Sequence, residues 1–326
     1  MHSVRRVRST AEAQALKKKR EAGKIVDYKK QVEKVLLERS KANHTAEALQ
    51  LTTSLLRLNP EYYTIWNYRR EILSLGLFVG IEDEEIQSII DKELTFLFDC
   101  LREHPKCYWI WNHRQWCLNT AAKPSWKLEL GLVTKMLEYD ARNFHGWWYR
   151  RYVVQSMETA TGISMTRKEF DYTTSKINAN FSNFSAWHNR TKLIPRLLIE
   201  EPDIDARDFL GKEIYFITQA MYTDPDDQSV WLYHRWLVTS NDIVNLEPIE
   251  RKALLGKEIK SIEELLEVEP DSKWCLHSLA FYKTYLANLL QEQVDLTVEG
   301  YLDKLEKIDS MRRHRYQDWK KEIADR

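Results

Sequence analysis

The sequence predicts an all-α protein, an α-α superhelix in which antiparallel helical hairpins stack into a crescent-shaped solenoid. Three observations carry that expectation. A chain of 326 residues is longer than one hydrophobic core usually supports, which leaves several domains or an array that grows by stacking. Gly and Pro are scarce, at 9 and 8, well below average usage and unsuited to an all-β chain with its many turns. The third observation is an internal repeat built on tryptophan, of which the chain holds 12.

The elements follow in order. Residues 1–44 read as a basic N-terminal arm and a leading helix. Within residues 1–24, Arg5, Arg6, Arg8, Lys17, Lys18, Lys19, Arg20 and Lys24 stand against Glu12 and Glu21. Such a stretch is a solvated, helix-prone arm or a docking arm for an acidic partner. It has no apolar core segment, so it does not read as a signal peptide.

Residues 45–290 hold the repeats. Their blocks are Tyr63-x-x-Trp66-x-x-Arg69, Tyr108-x-x-Trp111-x-x-Arg114, Phe144-x-x-Trp147-x-x-Arg150 and Phe184-x-x-Trp187-x-x-Arg190. A fifth block starts at Trp231, with His234 in the third place and Arg235 after it; a sixth, at Trp274, has His277 and no Arg. The six Trp residues are separated by 45, 36, 40, 44 and 43 positions, a period that marks stacked supersecondary units. Asn59-Pro60, His104-Pro105, Asp224-Pro225 and Glu269-Pro270 lie just upstream, where Pro stops the preceding helix; Asp140 and Asn180 hold that place in two repeats without Pro. Seven residues after each Trp comes Leu73, Leu118, Val154, Ile194, Val238 or Phe281. Trp, the third residue on and the seventh on share one helical face. Each Trp is therefore expected inside, and each motif Arg to need a carbonyl or carboxylate acceptor nearby.

Second helices lie between the blocks. Ile86, Ile89, Ile90, Leu94, Leu97, Phe98 and Leu101 form one stripe, and Leu254, Leu255, Ile259, Ile262, Leu265 and Leu266 another. A single hairpin cannot bury such a face, so neighbours must stack. Residues 291–326 are expected to form a C-terminal capping helix.

Composition excludes several function classes. Lys+Arg and Asp+Glu are both 49, so no global field favours nucleic acid or an anionic membrane. Cys100, Cys107, Cys117 and Cys275 lack metal-ligand or CxxC spacing and read as reduced thiols of a cytoplasmic protein. No apolar run reaches the length of a membrane span. The last residues, Ile323-Ala324-Asp325-Arg326, carry no lipidation signal. A Cys/His/carboxylate zinc set, a Gly-rich phosphate loop and a nucleophile motif are all absent from the pattern.

Trp66-Asn67-Tyr68-Arg69 and Trp111-Asn112-His113-Arg114 resemble the repeat of protein prenyltransferase α subunits. The likeness extends to Pro105-Lys106-Cys107-Tyr108, to Asp140-Ala141-Arg142-Asn143-Phe144-His145-Gly146-Trp147 and to Asn183-Phe184-Ser185-Ala186-Trp187-His188-x-Arg190. Within that family the basic start after Met1-His2, and the string from Asp224 to Trp236, are similar to the Rab geranylgeranyltransferase type, in a compact version without inserted domains.

The resemblance implies a heterodimer in which α wraps a β subunit that carries the catalytic Zn²⁺ and most of the lipid pocket. Zinc lowers the pKa of an acceptor thiol, and the thiolate attacks C1 of geranylgeranyl diphosphate. The acceptor would be a C-terminal cysteine of a Rab GTPase presented by Rab escort protein. No cofactor is expected on this chain itself.

Family matches name the candidate site residues. Lys106 is expected to approach the leaving diphosphate beside a helix N-terminus, with Tyr108 as its neighbour in substrate binding or as a packing residue. Asn143 and His145 match the segment at the α/β active-site edge, where His145 would donate a hydrogen bond to phosphate or order the acceptor. Phe144 stands where farnesyl members often have Tyr, so a phenolic donor is missing. Asn183 and His188 repeat the pattern one hairpin on. His2 is a speculative cap for an open zinc position on the partner, against a plain terminal His. Two other readings remain: an α subunit shared by farnesyltransferase and geranylgeranyltransferase type I, and a non-enzymatic scaffold of tetratricopeptide type, whose repeats run nearer 34 residues.

Overall fold

A computed structural model of the chain describes residues 10–325, so the speculative His2 lies outside the described residues. Among these residues the chain forms fifteen α-helices. The first five are α1 (Ala11–Ser40), α2 (Ala46–Leu58), α3 (Tyr63–Ile72), α4 (Asp83–Glu103) and α5 (Tyr108–Thr120). They are followed by α6 (Trp126–Tyr139), α7 (Phe144–Thr161), α8 (Thr166–Ala179), α9 (Phe184–Glu200) and α10 (Ala206–Thr223). The last are α11 (Gln228–Thr239), α12 (Pro248–Val268), α13 (Lys273–Leu290), α14 (Thr297–Ile308) and α15 (Arg313–Ala324). Beyond residue 290 the chain thus makes two helices where the sequence reading has one.

The boundaries follow from local chemistry. α2, α4, α10 and α12 each end two residues before Pro60, Pro105, Pro225 or Pro270, because the residue preceding Pro is pushed out of the helical region. α6 and α8 end at the residue before Asp140 and Asn180. Starts are capped: Thr45 accepts from Ala48 N, and Ser272 from Cys275 N. Glu82 with Glu85, and Glu247 with Glu250, form reciprocal capping boxes.

The chain divides into two compact units, one reaching to Val133 together with Trp148–Val153, the other formed by Thr134–Trp147 and Val154 onward. In the first unit α1–α2, α2–α3 and α4–α5 pack as consecutive pairs, and the motif helices α3 and α5 touch each other. In the second, α8–α9, α10–α11 and α12–α13 do the same, with α11 against both α9 and α13. α14 and α15 close this unit. Leu276 and Ala280 of α13 pack there with Val298, Leu302, Leu305 and Tyr316 in one buried cluster.

The motif tryptophans are buried in both units: Trp66, Trp111, Trp147, Trp187, Trp231 and Trp274 are all 7% exposed or less. Leu73, Leu118, Val154, Ile194 and Val238 are buried as their spacing requires, while Phe281 is half-buried. One position of the α4 stripe is corrected. Phe98 is 42% exposed, and Phe96 is buried in its stead, under Trp66 and the Arg69 guanidinium. The competition between two neighbouring phenylalanines is settled by that cationic and aromatic contact.

One close approach requires glycine, and a second leaves little room for a side chain. After α3 the chain makes a π turn, Leu73–Leu77, in which a Cβ on Gly76 would lie 2.1 Å from the His44 carbonyl oxygen. In the second unit a Cβ on Gly146, in the first turn of α7, would meet Leu137 Cδ2 at 3.0 Å.

Candidate functional site

Five of the six motif helices, all but the one at Trp274, begin on a turn that their own tryptophan holds in place. The indole N–H donates to the carbonyl six residues earlier: Trp66 to Pro60 at 2.8 Å, Trp111 to Pro105 at 3.0 Å and Trp147 to Ala141 at 2.9 Å. Trp187 bonds Phe181 at 2.6 Å and Trp231 bonds Pro225 at 2.8 Å. The buried ring thereby satisfies its polar edge and fixes the segment that carries Lys106, Asn143 or Asn183. A second set of bonds ties turns of neighbouring repeats. Cys107 Sγ donates to Pro60 O at 3.3 Å, Ser229 Oγ to Ser182 O at 3.3 Å, and Ser272 Oγ to Pro225 O at 3.4 Å.

The motif arginines Arg69, Arg114 and Arg190 sit behind these turns and have the acceptors that burial demands. Arg69 grips Glu93 with two bonds of 2.7 Å and also donates to Thr52, Thr53 and the Leu49 carbonyl. Arg114 grips Glu129 at 2.8 and 2.6 Å and reaches the Leu94 carbonyl. Arg190 grips Glu213 at 2.7 and 2.6 Å, with Thr173 and Thr174 as further acceptors. Each carboxylate takes a third donor from the next motif helix, two residues after its Trp. His113 Nε2 lies 3.3 Å from Glu93, Tyr149 O–H donates to Glu129 at 2.6 Å, and Tyr233 O–H to Glu213 at 2.5 Å. In the fifth repeat His234 Nε2 bonds Glu258 at 2.9 Å, and Tyr282 O–H lies 2.7 Å from His234 Nδ1.

The electrostatics follow. Burial pushes the Glu93 carboxyl upward, but the His113 hydrogen bond and the Arg69 charge outweigh it and hold the group down at about 2. Burial pushes His113 down to about 4 against the pull of Glu93. The imidazole is therefore neutral near pH 7, with Nδ1 accepting from Arg70 Nε at 3.2 Å and Nε2–H donating to Glu93. These groups are structural. Sequence reasoning anticipated a carbonyl or a carboxylate for the arginines; both are present, and the sequence reading did not name the carboxylates. The signal was present: Glu93, Glu213 and Glu258 occupy places on otherwise apolar stripes, between Ile90 and Leu97, Leu210 and Ile217, and Leu255 and Ile262.

The candidate site residues stand at the helix starts. Lys106 is exposed, two residues ahead of α5, and Tyr108 is the first residue of α5, 56% exposed rather than packed in the repeat core. No side chain caps α5. Asn143 and Asn183, by contrast, are buried N-caps. Asn143 Oδ1 accepts from His145 N at 3.0 Å and from Gly146 N at 3.4 Å, and Asn183 Oδ1 from Ala186 N at 3.2 Å. His145 is 4% exposed, its ring centroid 4.0 Å from that of Phe144; His188 is exposed. Lys106 and Tyr108 belong to the first unit and Asn143 and His145 to the second. In every one of these turns an aromatic occupies the first helical position in the open: Tyr63, Tyr108, Phe144 and Phe184 are 54%, 56%, 57% and 48% exposed.

No group of three or more His, Cys, Asp or Glu residues is placed to hold a metal ion among the described residues. The four cysteines are buried thiols. Burial holds Cys100, Cys107 and Cys275 up at about 11 and raises Cys117 further, so none presents a thiolate. No described helix is long and apolar enough to cross a membrane.

Residues 45–75, 90–121, 126–157, 166–197 and 210–241 match the family described as "Protein prenyltransferase alpha subunit repeat". These segments cover the hairpins from α2–α3 to α10–α11 and stop before the block at Trp274, which lacks the Arg. The chain is 42% identical to "Geranylgeranyl transferase type-2 subunit alpha" of Schizosaccharomyces pombe, over 99% of its own length and 98% of that protein. It is 40% identical to the Saccharomyces cerevisiae protein of the same name, with 97% and 98% covered. Among solved structures, one described as Candida albicans protein geranylgeranyltransferase-I complexed with GGPP matches with a TM-score of 0.64. That match covers 91% of this chain and 90% of the other at 20% identity, a likeness of fold alone.

Proposed function

The chain belongs to the protein prenyltransferase alpha subunit repeat family, among the geranylgeranyl transferase type-2 alpha subunits, and on that footing we propose that it is the α subunit of a heterodimeric Rab geranylgeranyltransferase. The observation that carries the proposal is likeness along the whole chain, 42% identity over 99% of its length, rather than over the repeats alone. The heterodimer moves a geranylgeranyl group from its diphosphate to C-terminal cysteine thiols of Rab GTPases brought by an escort protein. The relatives' names do not favour an α subunit shared by the farnesyl and type I enzymes, or a tetratricopeptide-type scaffold.

Among the described residues no donor set fits a catalytic zinc, and the reading assigns the metal and the activation of the thiol to the β subunit. This chain contributes at its helix starts. Negative charge grows on the diphosphate as it leaves, and fixed positive groups aimed there lower the barrier. Lys106 supplies a full charge, and the side-chain-uncapped start of α5 a partial one. Tyr108 offers a phenol beside them. Asn143 is already used as a cap, so its part is to hold the turn that carries His145. The exposed first-position aromatics supply apolar surface for the β subunit. With no charge excess to attract nucleic acid, and buried protonated thiols, the reading places the protein in the cytoplasm.

Co-expression with a prenyltransferase β subunit tests the reading. The chain alone is expected to be inactive, and the heterodimer to prenylate an escorted Rab ending in two cysteines. A heterodimer that modified CaaX peptides and left the Rab untouched would overturn it.

A further inference from the structure

Apart from the helix starts, the second unit contains a cavity of about 610 Å³ lined from α11, α13 and α15. Its chemistry turns on Arg235. In this repeat the place of the paired motif arginines is taken by His234, which meets the carboxylate of Glu258. Arg235, one residue on, lines the cavity and has no carboxylate within ion-pair distance among the described residues. One terminal nitrogen donates to His277 Nδ1 at 3.0 Å, and the guanidinium carbon lies 4.0 Å from the centre of the Phe281 ring. Its Nε is buried with no hydrogen-bond partner. Arg315 of α15 lines the same cavity and likewise makes no ion pair among the described residues.

Arg70 provides the contrast. It has the same place in the first repeat, donates to His113 Nδ1 and stands over the Trp116 ring, but His113 hands the contact on to Glu93. No carboxylate accepts from His277 in the corresponding way. That imidazole is buried and held down at about 4 by burial and by Arg235, Arg315 and Arg312, so it does not supply the missing negative charge. Two guanidinium groups thus share a cavity in which neither is paired with a carboxylate, and the buried, partnerless Nε of Arg235 is costly until an acceptor arrives. The remaining walls include Phe281, Tyr285 and Trp319. Asp318 and Glu322 also line the cavity, and they disfavour an extended polyanion.

We infer that this cavity is a binding site for a compact oxyanion, phosphate or carboxylate, carried on an aromatic or apolar body. The inference is independent of prenyl transfer. Calorimetric titration of the full-length chain with phenyl phosphate, benzoate and inorganic phosphate tests it. One-site binding of an aromatic anion is expected, at least about tenfold tighter than inorganic phosphate, and the better of the two tells phosphate from carboxylate. Arg235→Gln and Arg315→Gln should each weaken it on the order of tenfold, and Arg207→Gln, at an exposed arginine elsewhere, should leave it unchanged. Arg315 is exposed, so its variant decides the matter if Arg235→Gln fails to fold. Absence of one-site binding by either aromatic anion, or binding unaltered in the Arg315→Gln protein, would overturn the assignment.

Discussion

Arg190 and Glu213 face each other fork to fork, Nε and a terminal nitrogen each donating to one carboxylate oxygen at 2.7 and 2.6 Å. Both side chains are buried, and Tyr233 closes the arrangement from the next motif helix. The pair joins one hairpin to the first helix of the next, so stacking of the repeats is fixed by charge as well as by tryptophan. Arg69–Glu93 and Arg114–Glu129 do the same in the first unit.

Removing one partner of such a pair should therefore cost far more than a surface substitution. Glu213→Ala leaves a buried guanidinium uncompensated, for which about 3–5 kcal/mol of destabilisation is expected. Urea unfolding of Glu213→Ala beside Arg167→Ala, at an exposed ion pair with Glu201, checks it. Equal losses in the two variants would contradict the role given to the network.

Gly76→Ala should be costly for a different reason. The added methyl carbon would sit 2.1 Å from the His44 backbone oxygen, which is not free to swing aside like a side chain. An overpacking penalty of about 1–3 kcal/mol is expected, whereas Gly23→Ala, with open space around it, should be neutral or stabilising. Thermal denaturation of the two variants separates them.

Acid should weaken the fold in two stages. His113 and His277 are held down at about 4 in the folded chain, against an ordinary value near 6.5. As pH falls below 6.5 the unfolded chain takes up these protons and the folded chain does not, so stability declines from about pH 6.5 to 4. Glu93 has the opposite sign of charge: held down at about 2 from an ordinary 4.5, it adds stability that is complete above 4.5 and lost as pH falls towards 2. Urea midpoints from pH 7 to 4 should show the first decline, and His113→Gln should flatten it. An unchanged slope in that variant would remove His113 from the account.

Lys106→Ala should lower the rate of geranylgeranyl transfer, by about 10²-fold if one donor to the leaving group is lost, while the heterodimer still assembles. Lys106 is exposed at a turn held by Trp111, so its removal should not unfold the chain. Single-turnover kinetics on the purified heterodimer make the comparison. A normal rate with failed assembly would give Lys106 an interface role in place of a chemical one.

Much of the fold was legible because its determinants are local. Pro60, Pro105, Pro225 and Pro270 set helix ends through backbone sterics with neighbours in sequence, and the Trp spacing sets which face is buried. The Trp-Asn-x-Arg blocks at Trp66 and Trp111 and the strings around Lys106, Asn143 and His145 also named the family, and the string from Asp224 to Trp236 with the basic start named its branch, from residues alone. What the sequence left open depends on contacts between helices. The carboxylates that meet Arg69, Arg114 and Arg190 lie 24, 15 and 23 positions away, so no fixed spacing identifies them. Whether Phe96 or Phe98 is buried, whether Tyr108 is exposed, and whether Arg235 finds a counter-ion are decided by which neighbouring helix supplies atoms at that point. Periodicity determines which face of each helix turns inward; only the packed neighbours determine what that face meets.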